Sequence, residues 1–439
     1  MLSTAVSARA LVFCGVLLVA ASHPLTAKML CVSSSGASGC FPTIGAAVTA
    51  ASANDEIDIG PGQYPEMVTV TKPLSLAGAG SGATFIDAHG LANGIYIDGL
   101  DHAGLAYVQV TGLTVQNANF EGILVTNTQY VLIADNHVAN NNQSLVHSPP
   151  SCPGLPVFET SEAMDCGEGI HIVGASFTTV ANNEVELNSG GILLSDETGV
   201  NYQNQIIGNY VHDNAWACGI TMASHPPSPQ ASSPLPYGIV NNNVSNNRIM
   251  NNGLGVAGAG AGVGIFAPGP GNQAFGINVI GNTIVGNGLP GVTVHNHAAP
   301  PGAPPINLNG IVITGNYISG NGADTADAAT PGTAGINVYG VAGIFATEIM
   351  RNTIDDEAYG VVMNNPGSMD VHMNNLPDTG VGLLNSGKGN INGSSNYFGC
   401  STGPGTSGCS SVSGTGVTSS PWLNDPVKTS APARPPLGR

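Results

Sequence analysis

Two adjacent carboxylates and one imidazole are the side chains in this sequence best suited to acid and base chemistry. They are Asp196, Glu197 and His225. A carboxylate pair, or a carboxylate beside a histidine, supplies the proton donor and acceptor that general acid and base catalysis requires. The other candidates are expected to contact a substrate, and they are Glu168, His171, Phe266, His295 and His297. The chain must fold so that residues from 168 to 297 become neighbours.

An internal repeat provides such a fold. The pattern Asn-x-Val-x-x-Asn followed by Gly-Ile occurs twice, at Asn183, Val185, Asn188, Gly191 and Ile192 and again at Asn209, Val211, Asn214, Gly219 and Ile220. Its Gly-[Ile/Val] element recurs at Gly94, Gly122, Gly169, Gly264, Gly291, Gly335 and Gly360. The shorter steps between these glycines are 22, 28, 27 and 25 residues, which is typical of a solenoid.

Each repeat contains short runs of alternating Ile, Val and Leu bounded by Asn and Gly. This pattern predicts strands and turns rather than helices. Without hairpin signals, the strands of one repeat must pair in parallel with those of the next, about 4.8 Å away. The sequence therefore predicts an all-β parallel β-helix. Stacked Asn side chains at the turns are expected to bond to one another from coil to coil.

The chain resembles the right-handed parallel β-helix proteins of the pectin-lyase-like superfamily, including NosD-like secreted repeat proteins. The repeats carry this resemblance, and so do segments near the two ends of the chain. The N-terminal segments are residues 41–48, 55–59, 61–64 and 72–78, and the C-terminal segments are residues 396–399, 403–404 and 421–423. The resemblance implies a right-handed solenoid with a carbohydrate-related function. The scaffold supports many different chemistries, so the fold does not name the reaction.

Four regions are predicted along the chain. Residues 1–27 form a signal peptide, because Arg9 precedes an apolar run too short to span a bilayer as a mature helix. Residues 28–56 form an N-terminal cap with a short helix, residues 57–423 form the β-helix, and residues 424–439 form a disordered tail. A secreted or periplasmic protein without membrane insertion is expected, and its oligomeric state stays open.

The charge distribution limits the partners. Charged residues make up 8% of the chain, against about 25% in a typical protein. The net charge is −18, and between Lys72 and Lys388 the only basic residues apart from histidine are Arg248 and Arg351. Such a surface cannot neutralise many phosphates, so nucleic acid is not an expected partner. A polysaccharide or cell-surface glycan of neutral or weak charge is expected.

Cysteine spacing supports export. Six cysteines outside the signal segment fall into three local pairs expected to be disulfides, Cys31 with Cys40, Cys152 with Cys166 and Cys400 with Cys409. Cys218 is left over and is interpreted as a small buried thiol.

Alternation along the repeat assigns the candidate site to one wall of the solenoid. If the residue after each Gly points inward, the next residue points outward, and this column includes His171 and Phe266. Six residues after the Gly lie Glu197, His225 and His297. In this hypothesis Asp196 or Glu197 is the acid, base or nucleophile that cleaves a glycosidic bond, and His225 tunes or shares the proton.

Metal binding is a second use of the same residues. His225, His295, His297 and Glu197 could ligate zinc or copper, but the spacing lacks a second motif. No cofactor is assigned, and calcium or a transition metal stays open. The known pectin-degrading signatures are also missing: the polygalacturonase Asn-Thr-Asp set, the basic residues of pectate and alginate lyases, and the Arg-Trp signature of pectin methylesterases.

The sequence therefore predicts a secreted carbohydrate-binding β-helix, with a glycoside hydrolase-like enzyme as the main hypothesis. A non-catalytic extracellular structural or adhesin-type protein is the alternative. The orientation of Asp196 and Glu197 relative to His225 distinguishes these hypotheses.

Overall fold

A computed structural model describes most of the chain. The described residues are 27–37, 39–147, 150–156, 158, 167–225, 237–297, 299–325 and 329–428. The predicted signal segment, apart from residue 27, lies outside them, as does most of the predicted tail. In the described part of the chain, no helix has the length and apolar character needed to cross a membrane.

Three long parallel sheets run along the molecule, and the chain visits them in turn. The first sheet contains Met29–Val32, Asp55–Ile59, Leu74–Gly78, Gln109–Thr111, Leu132–Ala134, Thr179–Ala181, Gln205–Ile207, Asn243–Ser245, Asn278–Ile280, Val312–Thr314, Thr347–Met350, Ser368–His372, Asn390–Asn392 and Val417–Thr418. The second sheet contains Val68–Val70, Ile95–Asp98, Ile123–Thr126, Ile170–Val173, Ile192–Ser195, Ile220–Ala223, Val263–Phe266, Val292–His295, Ala334–Tyr339, Tyr359–Asn364, Val381–Asn385 and Ser411–Gly414. The third sheet contains Gly62–Tyr64, Thr84–Asp87, Thr114–Gln116, His137–Ala139, Glu184–Glu186, Tyr210–His212, Arg248–Met250, Thr283–Val285, Tyr317–Ser319 and Thr353–Asp355.

Two small sheets complete the strand set. A three-stranded parallel sheet contains Asn201–Tyr202, Ile239–Val240 and Ala274–Phe275, and an antiparallel pair contains Val146–His147 and Pro150–Ser151. Each long sheet is formed by one strand from each coil, so the molecule is a parallel β-helix, and the predicted fold class is confirmed.

The core runs along the inside of the solenoid. In the second sheet, Ile170, Ile192, Ile220 and Val263 pair in register on successive coils, and all four are buried. Strand alternation sends every second residue inward, which suits β-branched side chains packed against the coil above and below. The residues between them face away from the core, so the predicted alternation of this wall is confirmed.

A ladder of asparagines joins the first sheet to the third along nine coils. Each Oδ1 accepts both the backbone N–H and the Nδ2–H of the asparagine one coil before it, at 2.8–3.0 Å. The ladder contains Asn136, Asn183, Asn209, Asn247, Asn282, Asn316, Asn352, Asn374 and Asn396. Its members are buried, so their donors and acceptors must be satisfied within the protein. The predicted coil-to-coil stacking is therefore confirmed.

A second ladder joins the third sheet to the second sheet and ends on a carboxyl group. It contains Asn141, Asn188, Asn214, Asn252, Asn287 and Asn321, and then Glu357. Glu357 Oε1 accepts from the backbone N–H of Asn321 at 2.8 Å and from its Nδ2 at 3.0 Å. Burial raises the pKa of Glu357 to about 7, although the two hydrogen bonds from Asn321 oppose that shift.

The N-terminal end is capped as predicted. The helix Ile44–Ala50 begins at Thr43, whose Oγ1 accepts from the Ala46 N–H at 3.2 Å. Its apolar face covers the first coil, and the carboxylate of Glu66 accepts from the free N–H groups of Ile44 and Gly45 at 2.8 Å each. The open end of the sheets is thus protected from pairing with another chain.

Two of the three predicted disulfides are confirmed, Cys31–Cys40 and Cys400–Cys409. Cys152 is also disulfide-bonded, but its predicted partner Cys166 lies outside the described residues. Cys218 is a buried thiol, as expected, and its Sγ accepts from the Ala261 N–H at 3.2 Å.

The described part of the predicted tail contacts the solenoid. Val427 donates its N–H to Asn375 Oδ1 at 2.7 Å and accepts from Asn375 Nδ2 at 2.9 Å. Residues 424–427 therefore lie along the last coils.

Replacement of one ladder residue tests the contribution of the asparagines. The substitution Asn209→Ala leaves the buried N–H and Nδ2 of Asn183 without their acceptor. We expect the free energy of unfolding to fall by about 2–4 kcal/mol. Asn390 is exposed on a first-sheet strand, so Asn390→Ala is the matched control, with an expected change within about 0.5 kcal/mol. Equal urea denaturation curves for both variants would contradict this account.

The carboxyl end of the second ladder gives a pH-dependent prediction. Because the pKa of Glu357 is raised on folding, its stabilising protonated form is lost as pH rises through about 7. Glu357→Gln keeps an acceptor for Asn321 and cannot ionise. We expect the variant to be more stable than the wild type by about 1–3 kcal/mol at pH 8.5 and to lose this advantage at pH 5. Denaturation at the two pH values measures the difference, and a gap that does not change with pH would contradict the shifted pKa.

Candidate active site

The candidate site lies where three strands of the second sheet end. Val173, Ser195 and Ala223 are level with one another on successive coils, at the ends of Ile170–Val173, Ile192–Ser195 and Ile220–Ala223. Asp196 and Glu197 follow Ser195 directly, and Ser224 and His225 follow Ala223. Because adjacent coils are about 4.8 Å apart, these side chains become vertical neighbours.

Asp196 is fully buried and fixed by two hydrogen bonds from the next coil. Its Oδ1 accepts from the backbone N–H of His225 at 2.7 Å, and its Oδ2 accepts from the Ser224 hydroxyl at 2.8 Å. Burial raises the pKa of Asp196 to about 7, and these two hydrogen bonds offset only part of the shift. A substantial fraction of Asp196 is therefore a carboxylic acid at neutral pH.

The pKa of Glu197 is shifted in the opposite direction to that of Asp196. Burial by itself would raise its pKa, but the hydrogen bond from His225 Nδ1 to Oε1, at 3.1 Å, and the charge of that imidazole hold the pKa below its usual value. Its other oxygen, Oε2, is buried and has no hydrogen-bond partner among the described residues. We name Asp196, Glu197, Ser224 and His225 the Asp196 cluster.

His171 lies one coil before this cluster and faces away from the core. Its Nε2 is 2.8 Å from Ser195 Oγ. Burial lowers the pKa of His171 to about 4, against a smaller opposing effect of Glu197, so the imidazole is neutral at pH 7.

Glu168 lies before the same strand and is buried rather than exposed on a groove. Register places it level with Glu121 of the preceding coil, since the N–H of Gly122 donates to the Glu168 carbonyl at 3.0 Å. The ligand atoms of Glu121, Glu168 and His171 lie within 4.8 Å of one another.

A second group lies further along the same sheet. His295 Nε2 is 2.7 Å from Thr293 Oγ1 and 2.8 Å from Asn337 Nδ2, and burial lowers the pKa of His295 to about 3. Three rings surround it, with centroids 5.9, 5.7 and 5.1 Å from the His295 ring, and they belong to Phe266, His297 and Tyr339. We name these six residues the His295 cluster.

The predicted column position of Phe266 is wrong. Gly264, not Phe266, is level with Thr221 and Thr293, because the repeat glycine of this coil is Gly262 rather than Gly264. Phe266 lies level with Ala223 and His295 instead. A Cβ on Gly262 would lie 2.7 Å from the carbonyl oxygen of Gly291, the repeat glycine of the next coil. The two coils therefore approach each other closely at position 262, where glycine is needed.

The structure therefore divides the predicted site residues into groups. It brings Asp196, Glu197 and His225 into contact, and it gathers Phe266, His297 and Tyr339 around His295. Ser195, Ala223, Phe266 and His295 occupy one column on four successive coils. The coils of Asp196 and His295 are thus three coil steps apart, roughly 14 Å. The nearest coils of the two clusters, those that carry His225 and Phe266, are adjacent.

Four polar members of the two clusters are not among the predicted site residues: Ser224, Thr293, Asn337 and Tyr339. Ser224 could have been found, since it lies five residues after Gly219, just as Asp196 lies five residues after Gly191. Tyr339 could have been found by aligning its strand with His295, its register partner.

Comparison with known proteins agrees with the fold. The model of the right handed beta helix region matches residues 86–234. No curated protein sequence matches the chain. The catalytic domain of a GH87 alpha-1,3-glucanase, solved in complex with tetrasaccharides, is 15% identical, with a TM-score of 0.56 over 92% of this chain and 69% of that one. A DFA-IIIase from Arthrobacter chlorophenolicus without its lid, in complex with GF2, is 12% identical, with a TM-score of 0.56 over 90% and 100% of the two chains.

The three parallel sheets and the matched region together define the class of protein. This chain has the fold of a right-handed parallel β-helix.

Proposed function

We propose that this protein is a carbohydrate-active enzyme that binds a glycan along the outer face of the second sheet and hydrolyses a glycosidic bond. The Asp196 cluster performs the acid and base chemistry. The His295 cluster binds sugar units of the same chain, with aromatic rings and imidazoles that suit the apolar faces and hydroxyls of a sugar.

One observation carries the proposal. Two consecutive buried carboxyl groups contact one histidine, and their environments move their pKa values in opposite directions. Asp196 is kept partly protonated near neutral pH, whereas Glu197 is kept ionised. Pairs of titratable groups separated in this way provide an acid and a base at the same pH.

These states assign the roles. Asp196 gives its proton to the glycosidic oxygen as the bond between that oxygen and the anomeric carbon breaks. Glu197, held by His225, takes a proton from the water that adds to the anomeric carbon. One water is consumed, and the proton gained at Glu197 balances the proton lost from Asp196. The exchange of protons with solvent then restores both groups.

The comparisons support a sugar substrate. Two neighbours in fold are, by name, an alpha-1,3-glucanase and a DFA-IIIase, solved with tetrasaccharides and with GF2. The scarcity of Lys and Arg between residues 72 and 388 favours a neutral or weakly charged glycan.

A non-catalytic glycan-binding role is the second candidate. The observation that favours it is the low exposure of the three central side chains, 0% for Asp196, 3% for Glu197 and 5% for His225. Such burial also suits residues that only join adjacent coils. Binding of a glycan without release of products would favour this role.

Conservative substitutions test the catalytic roles. We expect Asp196→Asn and Glu197→Gln each to lower the rate of product release by about 100-fold or more, because each removes one proton-transfer group. Asp58→Asn, which changes an exposed carboxylate on the first sheet, is the matched control and should keep wild-type activity. A panel of neutral and acidic polysaccharides, with products identified by mass spectrometry, provides the assay.

The pH profile supplies a second readout. Wild-type activity should fall as pH rises through about 7, because Asp196 then loses the proton that it must donate. Cleavage of a glycan at wild-type rates by both Asp196→Asn and Glu197→Gln would exclude these residues from the mechanism.

A further inference from the structure

Two buried carboxyl groups outside the Asp196 cluster are stacked directly on one another. Glu121 and Glu168 occupy the same position on adjacent coils, each just before the repeat glycine of a second-sheet strand. Their exposures are 0% and 2%. With adjacent coils about 4.8 Å apart, two like charges would repel each other and lose their hydration. A bound cation or bound protons would offset this repulsion.

Between Lys72 and Lys388, no lysine or arginine supplies a positive charge to this stack. Arg248 and Arg351 are the only such residues between Lys72 and Lys388. The Arg248 guanidinium lies over the Tyr210 ring, 4.5 Å from its centroid, on the third sheet. Arg351 is exposed and follows Thr347–Met350 of the first sheet. Both thus belong to other faces of the solenoid.

His171 completes a set of metal-ligand types at this position. One ligand atom from each of Glu121, Glu168 and His171 lies within 4.8 Å of the other two. The imidazole is 2% exposed, and its Nε2 bonds with Ser195 Oγ at 2.8 Å. Its Nδ1 is buried and has no hydrogen-bond partner in the part of the chain that the structure describes. When Nε2–H donates to Ser195, the lone pair of Nδ1 is left available. Metal-binding histidines usually have this arrangement, with the second ring nitrogen donating to an oxygen.

We propose that Glu121, Glu168 and His171 bind a divalent transition metal ion, with zinc as the expected ion. Two carboxylates and a neutral imidazole are three of the ligands that zinc commonly takes, with the fourth position left for water. Calcium is less suited, because it takes 6–8 oxygen ligands and rarely uses imidazole. The ion supplies the two positive charges that balance the stacked carboxylates. This site is independent of the proposed glycan cleavage.

A metal-binding measurement on the purified protein tests the proposal. After treatment with a chelator and dialysis, titration with zinc chloride in a calorimeter should show one site formed by these residues, and thermal unfolding should move to higher temperature. Manganese and calcium chloride are titrated in parallel. Glu168→Gln and His171→Asn should each weaken zinc binding at this site by at least about 100-fold.

The chain contains a second carboxylate and imidazole group that provides a matched control. Glu186, His212 and Asp213 also lie within 4.8 Å of one another, but on the third sheet, where Asp213 is exposed. His212→Asn should therefore leave the zinc site at Glu168 unchanged. If His212→Asn removes the zinc signal and Glu168→Gln does not, the ion binds on the third sheet and the proposal is overturned.

X-ray absorption of the zinc-loaded wild type gives a result that does not depend on the folding of a variant. A first coordination sphere of oxygen ligands with one imidazole supports the site. An absence of zinc binding, or a coordination sphere without imidazole, overturns it and indicates that the two glutamates are neutralised by bound protons.

Discussion

The stacking of each coil on the next, in fixed register, is the constraint on which the rest of this molecule depends. Backbone pairing alone would allow a strand to slip by two residues without exposing its apolar face. The asparagine ladders remove that freedom, because Asn183 must meet Asn209 and Asn209 must meet Asn247 at 3.0 Å. A slip in one coil would leave buried amide groups without partners, at a cost of about 1–3 kcal/mol for each group.

This constraint holds although the coils differ in length. Successive members of the first ladder are separated by 47, 26, 38, 35, 34, 36, 22 and 22 residues, yet each step is made by the same pair of hydrogen bonds. The longer connections lie in the sequence between a second-sheet strand and the next first-sheet strand, or between a third-sheet strand and the next second-sheet strand. Insertions therefore do not alter the register of the wall. Asp196 meets His225 for this reason, although residues 197–225 include a full turn of the solenoid.

Much of this architecture could be predicted because it depends on local and periodic features. The capping helix follows from the spacing of Ile44, Ala47 and Val48, and the contact between Glu197 and His225 follows from equal offsets after Gly191 and Gly219. The predicted position of Phe266 in the outward-facing column is wrong because the segment Gly262-Val263-Gly264-Ile265 contains two glycines that both fit the Gly-[Ile/Val] pattern. Only the packing against Gly291 and the pairing of Val263 with Val292 select Gly262.

Burial was the property that sequence alone could not assign. A polar residue on the outer face of a strand is expected to be exposed, yet His171 and His295 are buried, and so is Asp196 directly after its strand. The partners of the two imidazoles lie on other coils, at Ser195 and Asn337, and the pattern of a single repeat does not give them. The consequence is chemical. In water, Asp196 and Glu197 would titrate at nearly the same pH. In this wall the same desolvation acts on both, and the contact of Glu197 with the His225 imidazole separates their protonation states. Single side chains at fixed positions thus give the coils of this solenoid different chemistry, while the register between adjacent coils stays the same.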